Sequence, residues 1–138
     1  MSKRQRKKWL KQHGKYVNPW DTWALDYMIA EFVLPRLKLY KEKTLAYPGI
    51  DEANTPEKWD AILDKIMFSF ELILNEDTWE IGDPEYDYLC YISENMTDED
   101  REKSKEVLNR YIEEVKHCEQ IIQEGLDLFA KWFRHLGW

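Results

Sequence analysis

The chain is 138 residues long, enough for one domain that buries its core without metal or disulfide support. Hydrophobic residues make up 43% and aromatics 14%, with seven Trp and eight Tyr, so rings either build the core or are held out for ligands. No window approaches ~18 consecutive apolar residues, which excludes a membrane span on length, and Cys90 and Cys118 lack CxxC spacing, which with no signal peptide predicts reduced cytoplasmic thiols.

The net charge of −7 is unevenly placed. Residues 1–15 hold seven Lys/Arg and no acid, and the rest of the chain carries −14. We expect a basic arm at 1–15 and a single helical domain at 16–138. Such an arm either frays as a solubilising tail or touches nucleic acid through Lys3, Arg4, Arg6, Lys7, Lys8 and Lys11. Trp9 and Leu10 within it suggest that the arm docks.

The first helix start is Asn18-Pro19-Trp20-Asp21, with a capping Asn, Pro at the first helical position and an acid at the positive end of the dipole. The helix is expected to run to about Lys43, kinked but not broken near 31–35 by Pro35, which cannot donate to the Glu31 carbonyl. It is apolar nearly all round, which predicts the centre of the fold. Asp26 falls on the face of Trp23, Ala30, Leu34 and Leu37, where a carboxylate needs a partner or a task.

Tyr47-Pro48-Gly49 marks a turn, and Thr55-Pro56-Glu57 repeats the cap-plus-proline start. Trp59, Ile62, Leu63, Ile66, Met67, Phe70, Ile73 and Leu74 follow at helical 3-4 spacing. Residues 75–83 are acidic and turn-like. Residues 84–94 read as a short helix, with a strand as the alternative because Tyr86, Tyr88, Cys90 and Ile92 alternate. Thr97 to Asp100 has capping-box form. Behind it Leu108, Tyr111, Val115, Cys118, Ile122, Leu126, Phe129, Phe133 and Leu136 hold one register. Unbroken, that helix is about 60 Å long, more than a compact domain spans, so it is expected to bend near Gly125 or to project within an oligomer. The sum is an all-α bundle of three long helices, the first kinked at Pro35, with one or two short ones.

Assembled catalytic chemistry is not evident. Glu114 and His117 match half of a helical di-iron pattern, but His117 points off the core face. Glu124 and Asp127 have the spacing by which all-α nucleotide pyrophosphohydrolases hold magnesium. Asp60 and Asp64 are the nearest second pair, and both pairs lie opposite the apolar stripes of their helices. The stretch from Glu71 to Glu102 holds twelve carboxylates and one Arg, a solvated linker or a mimic of nucleic-acid charge. Trp132, Phe133 and Trp138 crowd the end of the chain, which predicts packing or self-association.

Three blocks carry a family resemblance. They are Pro19-Trp20-Asp21-Thr22-Trp23 through Leu25-Asp26 to Leu34-Pro35-Arg36-Leu37-Lys38, then Trp59 to Lys65 with Phe68, Phe70 and Glu71, then Glu124-Gly125-Leu126 to Lys131 and Phe133. In order and spacing they resemble small Trp-rich proteins of bacteriophages and prophages, over about half of the chain. That family has no settled activity, so no catalytic residue is carried over. The resemblance implies a phage accessory protein acting in the bacterial cytoplasm, of the kind that neutralises host or defence components. The expected function is therefore non-enzymatic: sequestering a small ligand, first a nucleotide-type signal, or inhibiting a host factor, without cofactor or metal and as a homo-oligomer. Trp20, Trp23, Asp26, Arg36 and Lys38 are the expected ligand residues, which one pocket can gather only from two chains or a folded-back arrangement. A nucleic-acid-binding accessory and a magnesium-dependent pyrophosphohydrolase are the alternatives.

Overall fold

A computed structural model describes residues 1–75 and 97–137. It shows an all-α fold, with no strand among the described residues. Among the described residues four helices follow in order: α1 (Lys3–Gln12), α2 (Leu25–Lys43), α3 (Pro56–Leu74) and α4 (Asp98–Trp132). Short 3-10 turns lie at Pro19–Thr22, Asp51–Ala53 and Phe133–His135. No helix among the described residues is long and apolar enough to cross a membrane. The segment read as helix or strand at 84–94, and Trp138, lie outside the described residues.

The start signals at Thr55 and Thr97 act as expected. The Thr55 hydroxyl accepts the Lys58 N–H at 3.2 Å with Pro56 opening α3. Thr97 and Asp100 close a reciprocal capping box on α4 at 3.2 and 3.3 Å, which satisfies two donors otherwise left bare. Asn18 caps as well, but what it starts is the 3-10 turn. The Thr22 hydroxyl donates to the Pro19 carbonyl at 2.7 Å and the Trp23 N–H goes to Trp20 at 3.1 Å, so the turn closes tightly. The chain straightens at Ala24 before α2 begins at Leu25. α2 then passes Pro35 without a break.

The centre of the bundle is α3, not α2. α3 buries Trp59, Ile62, Leu63, Ile66, Met67, Ser69 and Phe70 and packs against both α2 and α4. The apolar girth of α2 resolves into two stripes. Ala30, Leu34 and Leu37 bury on the core, whereas Leu25, Ile29, Phe32 and Leu39 face outward. Lys38–Glu71 at 3.2 Å and Lys41–Asp64 at 2.6 Å run in opposite sequence directions, so α2 and α3 are antiparallel.

α4 is likewise antiparallel to α3, with Trp132 against Trp59 and Gly125 against Ser69 and Lys65. It continues through Gly125 as helix. A Cβ there would collide with the Ser69 side chain and approach the Lys65 carbonyl to 2.9 Å, so the glycine is a point of close approach and not a hinge. At 35 residues α4 is about 52 Å long, and its contribution to the core cluster runs from Leu126 onward. In its first half Val107 is buried, whereas the expected core positions Leu108 and Tyr111 are exposed. Lys131 to Glu52 at 2.7 Å, and the Tyr40 hydroxyl donating to the Gly137 carbonyl at 3.3 Å, fasten the end of the chain.

Candidate functional site

The 3-10 turn that precedes α2 holds out two indoles. Trp20 is 75% exposed and Trp23 86%, with ring centroids 6.4 Å apart and planes tilted by 42°. Rings of this size are ordinarily covered, because each carries a large apolar area. Here the Asn18 side chain accepting from the Trp20 N–H and the Thr22 hydroxyl donating to the Pro19 carbonyl fix the turn while the rings remain exposed. Asp26 follows in the first turn of α2, exposed, and not on a buried face as its periodicity predicted. Near the positive end of the helix a carboxylate is favourable without a buried partner.

Arg36 and Lys38 do not join this turn. The Arg36 guanidinium lies 3.7 Å over the Phe32 ring and donates to the Phe32 carbonyl at 2.8 Å. Lys38 pairs with Glu71 on α3. Of the five expected ligand residues, Trp20 and Trp23 lie together on the turn, Asp26 follows in the first turn of α2, and Arg36 and Lys38 are committed elsewhere.

The basic arm is a helix. Ser2 and Gln5 form a capping box at 3.2 and 2.8 Å, and Leu10 accepts the N–H groups of Lys15 and Tyr16 as the chain folds back. Lys3, Arg4, Lys7, Lys8 and Lys11 share a sector of about 140° at 100° per residue, with Arg6 outside it. Lys7 and Lys11 stand 5.2 and 5.1 Å over the Tyr16 ring, and Trp9 stacks on His13 at 4.1 Å. No residue of α1 is buried, and it packs on no other described element, so the expected docking of Trp9 and Leu10 is confined to the arm itself.

The carboxylates proposed for magnesium point to different neighbours. Asp64 pairs with Lys41 toward α2, whose ammonium this hydrogen bond holds above its ordinary pKa. Glu124 and Asp127 accept from Gln120 and Gln123 and line a shallow groove with Lys65, Leu128 and Lys131. No cluster of three or more metal-ligating side chains occurs among the described residues. Cys118 is half-buried, and burial, then the neighbouring carboxylates of Glu114 and Glu119, push its thiol pKa up, the reverse of an activated nucleophile.

Two features escaped the sequence reading. Trp59 and Trp132 meet edge to face at 5.7 Å in the core, and neither indole nitrogen has a hydrogen-bond partner. The outward stripe of α2 is the other, and its signal was the 4-3 spacing of Leu25, Ile29, Phe32 and Leu39. Comparison with protein families, curated proteins and solved structures found no match to the chain.

Proposed function

We propose that this chain is a phage accessory protein of the bacterial cytoplasm that works by binding, capturing a flat, nucleotide-type ligand on the Trp20–Trp23 turn. The observation that carries the reading is the exposure of both indoles on a turn whose backbone is already hydrogen-bonded. Stacking on such rings contributes about 1–3 kcal/mol per base and needs little ordering when the platform is preformed. Asp26, one helical turn on, can accept from an exocyclic amine or a ribose hydroxyl. A host or defence protein offering a flat aromatic or amide surface is the larger version of the same partner. Calorimetric titration with mono-, di- and cyclic nucleotides is expected to show binding that Trp23→Ala weakens at least about tenfold, the loss of one stacked base. Silence across that set refutes the ligand.

A second reading rests on α1. Six cations on a preformed helix with no acid, five of them on one face, suit a phosphate backbone, and Tyr16 and Trp9 lie beside them for stacking. A gel shift that steepens with falling salt, with a slope of up to about 5 for six phosphates, and that vanishes when residues 1–15 are removed supports it. No shift at low salt refutes it.

A further inference from the structure

The outward stripe of α2 is self-complementary. At 100° per residue Leu25, Ile29, Phe32, Arg36, Leu39 and Lys43 fall within about 80° of one another, roughly 145° round from the buried Ala30, Leu34 and Leu37. Their spacing of 4-3-4-3-4 is that of a two-helix seam. The four apolar members are between 47% and 59% exposed. With Trp20 and Trp23 they present several hundred Å² per copy, a size comparable to the ~800 Å² per partner of a standard interface.

The stripe also has a centre. Leu25 and Leu39 stand seven residues to either side of Phe32, and Asp21 and Lys43 eleven to either side. The charges divide about the same point. From Tyr16 to Pro35 the chain carries Asp21, Asp26 and Glu31 and no base, whereas Arg36 to Lys43 holds four bases and one acid. An isologous interface requires that if one residue meets another, the second meets the first. Turned end for end about Phe32, α2 sets Phe32 on Phe32 and Leu25 on Leu39, with Asp21 of the preceding turn opposite Lys43, while Lys38 and Lys41 stay paired with α3. A parallel pairing would set acids against acids.

We infer that α2 pairs with α2 of a second copy, antiparallel, with Phe32 on the two-fold axis and Leu25 against the partner's Leu39. The pairing covers the stripe left bare in one chain. It also brings the partner's Lys43 toward the Trp20–Trp23 turn, supplying that turn with a cation that its own chain commits elsewhere. The argument rests on α2 and the turn before it and not on a bound ligand, so all its tests are run without nucleotide.

Sedimentation equilibrium of the full chain is expected to show a dimer within a range of about 1 to 100 µM. Phe32→Asp, at an exposed position, is expected to weaken it at least about tenfold with unchanged far-ultraviolet dichroism. Under mild oxidation Phe32→Cys is expected to cross-link with itself beyond the wild-type background from Cys90 and Cys118. Leu25→Cys is expected to cross-link only when mixed with Leu39→Cys. A monomer throughout that range, a dimer indifferent to Phe32→Asp, or Leu25→Cys cross-linking with itself each overturns the pairing. A dimer that meets these tests and binds no nucleotide refutes the ligand and leaves the interface standing.

Discussion

Gly125 is where one atom decides how closely two helices can approach. Ser69 opposite it is fully buried and turns its hydroxyl back to the Ile66 carbonyl at 2.6 Å, so the crossing is built from a glycine and a small serine. Gly125→Ala gains about 1 kcal/mol of helix propensity but must displace both Ser69 and the Lys65 backbone. Overpacking of this kind costs about 1–3 kcal/mol, so a net loss is expected as a lower urea midpoint. Ser69→Gly in the same chain removes the colliding Cβ and is expected to recover part of it. The length of the predicted helix pointed to a bend near Gly125 or to a helix that projects within an oligomer, and a glycine within a helix pattern signals either a hinge or a contact. Only the neighbour across the crossing distinguishes the two.

At the scale of the element, capping was the most readable signal. Asn18, Thr55 and Thr97 each accept a backbone N–H as their sequence context predicted. What followed Asn18 was not readable to the same degree, because the Thr22 hydroxyl competes for a carbonyl that a longer helix would use. α1 tests the strength of capping most directly, since it has no core contact to hold it. Ser2→Ala removes one arm of its box, worth about 1 kcal/mol, and a lone helix this short has little in reserve. The expected result is faster amide exchange over residues 3–12 with α3 unchanged. α2 shows the limit of pattern reading. Ala30, Leu34 and Leu37 form one stripe, Leu25, Ile29, Phe32 and Leu39 another, and a sequence cannot say which stripe its own chain covers. The expected site fell short for the same reason, since the commitments of Arg36 to Phe32 and Lys38 to Glu71 depend on packing.

At the scale of the whole molecule, two of the ion pairs between distant segments, Lys131–Glu52 and Lys41–Asp64, titrate at opposite ends of the pH scale. Lys131 donates to Glu52 and holds that carboxyl below its ordinary pKa. The linked stability is therefore present above the ordinary carboxylate range and is lost as pH falls through the depressed folded value. Asp64 holds the Lys41 ammonium above its ordinary pKa, so that contribution is complete below about 10.4 and is lost as pH rises through the folded value. Both pairs are solvent-accessible, so each effect is small. Melting temperature plotted against pH should lose some acid-side slope in Glu52→Gln and some alkaline-side slope in Lys41→Met, each leaving the other limb in place.

The Trp59–Trp132 contact gives the molecule an internal optical label. Two indoles held edge to face at 5.7 Å, one on α3 and one at the end of α4, couple their transitions. Their near-ultraviolet dichroism reports whether those two helices are docked, independently of how much helix the chain contains. Trp9, Trp20 and Trp23 emit from solvent and are open to quenching by iodide, whereas the coupled pair is shielded. Among the described tryptophans, collisional quenching therefore distinguishes the surface rings from the interior pair.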